Sequence, residues 1–172
     1  MSEPDPIKSQ TRPALRAIRD KNPFAACGRT VSYLMNVPNL ARLPFGQLSR
    51  LIVGQINRGH YFFIVDSASA INGYCGWSQA SHSEAEAWLV KNIDVGGDRV
   101  TDGPVCVINL WQASSPKANT AIIGALRTML HPGTELIVAK RFYPDGTIRP
   151  VRIPLSPKML RPPKTEGGGL PV

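Results

Sequence analysis

Cysteine is scarce in this chain: Cys27, Cys75 and Cys106 are the three in 172 residues. An odd number with no C-x-x-C spacing excludes a disulfide framework. Cys and His also never cluster at ligand spacing, which argues against a zinc site. Long apolar runs are missing as well. A membrane-spanning helix needs roughly 18 or more consecutive apolar residues, and no stretch supplies them, so no membrane span is expected. The opening "MSEPDPIKSQTRPALRAIRDK" lacks the apolar segment of a secretory signal. Its Glu3, Asp5 and Asp20 do not suit an organelle transit peptide, so a cytoplasmic location is expected. Acidic residues are few, 12 against 20 Lys and Arg, for a net charge of +8. Those of the loop 92–103 do not fit a calcium loop, because the Asp spacing is wrong and no closing Glu follows.

The positive excess is concentrated. Residues 140–164 hold Lys140, Arg141, Arg149, Arg152, Lys158, Arg161 and Lys164 against Asp145 alone. Such a patch is either an ordinary solvated face or an attractor for an acidic partner. Nucleic acid is the less favoured partner, since no helix concentrates basic residues with interleaved aromatics.

At this length, with 42% apolar residues, one domain with a real core is expected. Residues 1–27 read as a mobile N-terminal arm, 28–155 as the folded unit, and 156–172 as a disordered Pro/Gly-rich tail. Within the unit, "TVSYLMNV" is short and apolar on one face, and Pro38 ends it. "PFGQLSRLIVGQINRG" places Leu48, Leu51, Ile52 and Ile56 at helical spacing, with Gly59 as the stop. "HYFFIVD" and "INGYCGWSQ" read as an antiparallel hairpin. Ser81 and Glu84 form a capping box for a helix running to about Lys91. "PVCVINLWQ" is a strand buried on both faces. "SSPKANTAIIGALRTML" is a helix capped by Ser115. "TELIVAKRF" and "TIRPVRIPL" flank the turn "YPDG", and Pro150 and Pro154 assign the last strand to a sheet edge. The pattern predicts an α/β fold with a central, mostly antiparallel sheet flanked by helices.

"NGYCGWSQAS" followed by a helix resembles the "AYCSWA-x-LS" segment of the lysine acyltransferases that activate RTX toxins. "VSYL", a Pro-led helix, "RGHYFFIVD", "GDR" at 97–99 and "INLW" at 108–111 fall in that family's order. The likeness spans about 28–155. It implies a GNAT-like fold and transfer of a fatty acyl group from acyl carrier protein to a lysine of a client protein. The donor would be the phosphopantetheine-linked acyl group, with no resident cofactor, and the family suggests a homodimer. The family uses a His in an early "S-x-x-H" motif and an Asp in an "IDW" strand. With Pro38 aligned, Val37 and Leu40 stand at the Ser and His positions, and Asn109 stands at the Asp position. A catalytically inactive module that binds a carrier or client is therefore the alternative function.

Acyl transfer requires an amine that loses its proton, a polarised carbonyl and an acyl donor held in line. Leu40 accepts no proton and Asn109 does not titrate. His60 would be a replacement base if the helix over 44–58 lines the same groove; otherwise it, His82 and His131 are surface positions. Ser114, Ser115 and Lys117, at a strand-to-helix turn, either bind a phosphodiester or form a plain helix cap. The resemblance implies that backbone N–H groups near Asn109–Trp111 serve as oxyanion donors. Trp77 and Trp111 either line an acyl channel or cover the core edge. Arg141, in the basic segment, is a candidate contact for the acidic carrier. Cys75 and Cys106 read as core.

Overall fold

In the computed structural model, which describes residues 14–95, 103–143 and 145–156, a six-stranded sheet runs in sequence order from edge to edge. Its strands are β1 (Arg16–Ile18), β2 (Tyr61–Val65), β3 (Ile71–Ala80), β4 (Val105–Ala113), β5 (Leu136–Phe142) and β6 (Ile148–Pro154). All neighbours pair antiparallel except β4 and β5, which are parallel. A parallel neighbour needs a crossover, and helix α5 (Pro116–Met129) supplies it between these two strands. The expected mixed architecture with a mostly antiparallel sheet is thus observed.

Side-chain alternation sends the two faces of the sheet to different helices. Phe62, Ile64, Cys75, Trp77, Cys106 and Ile108 pack against Ile122 and Leu126 of α5. On the other face, Tyr61, Phe63, Tyr74 and Leu110 meet α1 (Pro23–Leu34) through Ala26 and Leu34. They meet α3 (Phe45–Asn57) through Ile52 and Ile56. Further along that same face, Val105, Val107 and Val138 pack under Ala85 and Leu89 of α4 (His82–Lys91). A short helix, α2 (Pro38–Ala41), joins α1 to α3.

Helix ends follow local chemistry. Ser81 accepts from the Glu84 backbone N–H while Glu84 reaches back to the Ser81 N–H, the full capping box. Ser115 caps α5 by accepting from the Ala118 N–H, and Pro116 opens the helix. Gly59, at φ +70°, ends α3, a conformation that suits glycine best.

The structure differs from the sequence expectation at the N-terminal side. Within the stretch read as a mobile arm, Arg16–Ile18 pair with Val65–Phe63 as an edge strand. Helix α1 begins at Pro23, with the Asn22 side chain accepting from the Phe24 and Ala25 N–H groups. Asn22–Pro23 is a cap followed by a first-turn proline, so the proline that suggested disorder opens the helix. The tail residues from 157 and most of the 92–103 loop lie outside the described residues.

Candidate functional site

Strand β4 carries an irregularity that an apolar run does not announce. Gly76 of β3 pairs with Leu110 and Trp77 with Ile108, which leaves Asn109 as the extra residue of a β-bulge. A bulge of this kind turns two successive side chains to one side and loosens the ladder locally. Leu110 accordingly joins the α1/α3 side of the core, and Asn109 reaches the same side.

There Asn109 enters a hydrogen-bonded chain built across α3, β3 and β4. Its Oδ1 accepts from Gln55 Nε2 of α3. Its Nδ2 donates to Ser78 Oγ at 3.1 Å. The other end of the Gln55 amide is fixed too, since Oε1 accepts from the Tyr74 hydroxyl at 2.8 Å. Gln55, Ser78 and Tyr74 are all essentially fully buried. Burial pushes the Tyr74 hydroxyl's pKa well up, so it is a donor throughout the ordinary pH range. Gly76 makes room for this arrangement, because a β-carbon there would overlap the Gln55 side-chain amide. Arg58, at the end of α3, lies 3.5 Å from Ser78 Oγ, at the limit of hydrogen-bond reach.

The two parallel strands part next to this cluster. Pairing between β4 and β5 ends at Ile108–Ala139, although β4 continues to Ala113 and β5 to Phe142. Beyond that point the strands form no mutual ladder, and Asn109 is the first residue past the branch on β4. Lys140 is the first on β5. It donates to Asn92 Oδ1 at 2.6 Å and lies 4.4 Å from the centre of the Trp88 ring. Burial lowers the Lys140 pKa, and the nearby Asp94 carboxylate works against that. Lys140 shares Val138's face by alternation, which is also the face of Asn109.

The other candidates fall into separate places. His60 stacks on Trp77, with ring centres 5.6 Å apart and planes 12° from parallel. Trp77 is 1% exposed and belongs to the α5 side of the core. Gln55 of α3 reaches Asn109, but His60 lies with Trp77 on the opposite face of the sheet, so His60 and Asn109 do not converge. The position of Trp77 is that of a core residue. Trp111 is half-buried on the α5 side, where its indole N–H donates to Asn119 Oδ1 at 2.8 Å and ties β4 to the first turn of α5. Ser114 is held by Asn72, whose carbonyl accepts its N–H at 2.9 Å. The Ser115 hydroxyl is spent on its own helix, and Lys117 is exposed in that first turn. Arg141 is exposed on β5, two residues past the branch. Leu40 packs onto the α1/α3 side of the core.

Burial raises the pKa of the Cys75 and Cys106 thiols well above the ordinary range. That removes thiolate character and agrees with a core role. Among the described residues no group of His, Cys, Asp and Glu could hold a metal ion, and no helix is long and apolar enough to cross a membrane. A separate cavity of about 290 Å³ lies between α1, the end of α3 and the start of β2, lined by Arg19, Asp20, Lys21, Asn57 and Tyr61 among others. Asn109 and Ser78 do not line it.

Sequence reasoning singled out Asn109 but not Gln55, Ser78 and Tyr74, which form the hydrogen-bonded chain around it. The available signal was Gln55 itself, a polar residue beside Ile52 and Ile56 on the apolar stripe of its helix. No protein-family model matches the chain, and no curated protein matches it either.

Proposed function

We propose that the chain is a protein-lysine acyltransferase of the toxin-activating type with a GNAT-like arrangement, taking its acyl group from acyl carrier protein. The observation that carries this reading is the branch between parallel β4 and β5, with a bulged and hydrogen-bonded Asn109 at its origin. Ligands of open α/β sheets gather outside the carboxyl ends of parallel strands, and this branch lies at those ends. The reading seats an extended acyl-pantetheine chain where the two strands no longer bond each other. In the reaction, the lysine nitrogen attacks the thioester carbonyl carbon. The C–N bond forms, the C–S bond breaks, and the amine's proton ends on the departing thiolate. Asn109 donates its remaining Nδ2–H to the carbonyl oxygen as charge develops there, the kind of fixed donor that stabilises an oxyanion.

A specific observation favours a second reading, a catalytically inactive module of the same shape. Leu40, partly buried against the α1/α3 side of the core, accepts no proton and Asn109 has no titrating group, so the pair that the resemblance leads one to expect is absent. Incubation with acyl carrier protein bearing a range of acyl chains, together with proteins encoded beside this one, separates the two. The expected result is an acyl mass shift on a client lysine. Carrier binding without any transfer would leave the inactive module as the function.

A further inference from the structure

Beyond the branch, β5 and β6 leave the body of the sheet as a two-stranded ribbon. Residues 141, 142 and 145–150 are exposed. The register pairs Arg141 with Arg149 directly across one face, and Phe142 with Ile148 across the other. Like charges directly opposite each other destabilise an antiparallel pair. Both guanidinium carbons lie 5.1 Å from the centre of the Tyr143 ring, which offsets part of that repulsion. Among the described residues neither arginine has a carboxylate partner, whereas neighbouring Arg152 is bound to Glu86 at 2.8 Å. The opposite face leaves Phe142 70% and Ile148 53% exposed, a paired apolar surface without cover.

We propose that this ribbon is the docking surface for the acyl carrier, an acidic protein whose carboxylates meet Arg141 and Arg149 while apolar side chains cover Phe142 and Ile148. The inference rests on the acyl-transfer reading and adds the surface where its donor lands. Charge complementarity selects an acidic partner. Three features select a protein over the alternatives. Phe142 and Ile148 gain nothing from a phosphate backbone. The Tyr143 ring already carries two guanidinium groups and is not free to stack on a base. Asp145, at the turn, has its carboxylate held ionised by hydrogen bonds from Thr147, which opposes insertion of the tip into an anionic membrane. Position agrees with the role. Arg141 lies two residues beyond the branch point, about 7 Å along the strand, so a carrier seated here holds its prosthetic arm at the mouth of the gap.

Titration of the full-length protein with fatty-acyl carrier protein, followed by calorimetry at low and high salt, tests this. The expected result is salt-sensitive binding that Arg141→Glu with Arg149→Glu weakens about tenfold or more. Phe142→Ser with Ile148→Ser weakens it at all salt concentrations. Both variants are on an exposed ribbon, and unchanged far-UV circular dichroism confirms their folding. Arg141→Ala with Arg149→Ala provides a gentler change if the reversal unfolds. Absence of carrier binding by the wild-type protein, or equal binding by the reversed variant, overturns the proposal. So does tighter binding to duplex DNA or to phosphatidylserine vesicles at the same salt. Binding that depends on the ribbon without acyl transfer keeps the docking surface and removes the enzyme reading. Transfer that survives the reversal does the opposite.

Discussion

Asn109 stands where the chain has surrendered regular pairing, flanked by Ile108, Leu110 and Trp111 in a mostly apolar strand. Supporting it takes a buried glutamine, a buried tyrosine hydroxyl and a glycine inside a strand. Glycine there weakens a strand unless something needs the space, and the Gln55 amide needs it. Asn109→Ala should leave that amide N–H without an acceptor, at a cost of about 1–3 kcal/mol, measured by urea denaturation. On the proposed acyl-transfer reading, it should also lower transfer by roughly 100-fold through loss of the donor to the carbonyl. Asn109→Asp retains an acceptor for Gln55 and adds a titratable oxygen. With Leu40→His, it should raise transfer to client lysine if the wild-type chain is slow or inactive, as read by mass spectrometry. The glycine supplies a test independent of any activity. Gly76→Ala should destabilise by about 1–3 kcal/mol through overpacking, and much less in a Gln55→Ala background. The two changes should therefore be non-additive in a denaturation cycle.

At the scale of single elements, α4 is the helix whose start was fully written in the sequence. Its box needs only Ser81 and Glu84, three residues apart, and both bonds form. Hydrogen bonds from the Ser81 side chain and backbone lower the Glu84 pKa. A carboxyl lowered in the folded state contributes stability above its unfolded pKa, about 4.3, and loses it as pH falls through the folded value. The chain should therefore lose stability below about pH 4.3, and Glu84→Gln should flatten that part of a pH series of chemical melts. Ser81→Ala should cost about 1 kcal/mol at neutral pH. Elements whose cause is local were legible in this way: the Ser81 and Ser115 caps, the β2–β3 hairpin, the helix opened by Pro116 and the edge position of β6. What escaped had distant causes. Strand β1 has three residues, too few for a period, and exists because β2 lies more than 40 positions away with a free edge. The bulge at Asn109 follows from how β3 meets β4, and "INLW" taken alone reads as an unbroken strand. The hydrogen bonds of Gln55 are not legible locally, because its partners, Tyr74 and Asn109, belong to other strands. His60 looked near Asn109 because α3 leads into it. Strand alternation then turns the imidazole to the other face, beside Trp77.

The whole molecule is a sheet with two very different edges. The β6 edge is exposed and carries Arg149, Arg152, Pro150 and Pro154, the charge and proline that discourage strand addition by another chain. The opposite edge is the short β1, which covers a β2 that has no such protection of its own. All five of its residues are buried and apolar, and their cover is β1 with the segment that follows. Ala17 and Ile18 pack onto the two sides of the core, Arg19 donates to the Tyr61 carbonyl at 2.8 Å, and Asp20 is bound to Arg29 of α1 at 2.8 Å. A stretch that composition assigns to a mobile arm therefore closes one side of the fold. Removing residues up to 21 would expose the backbone groups of an apolar strand and free the Arg29 guanidinium, while Asn22 would still cap α1. Such a truncation should melt at a lower temperature than the full chain and bind a hydrophobic dye. It should also self-associate in sedimentation as the bare β2 edge finds another strand. Full retention of melting temperature and of the monomer-to-oligomer distribution would show that β1 is dispensable. In that case the folded unit would begin at α1, and the edge of β2 would be protected by its neighbours on the α1 and α5 sides instead.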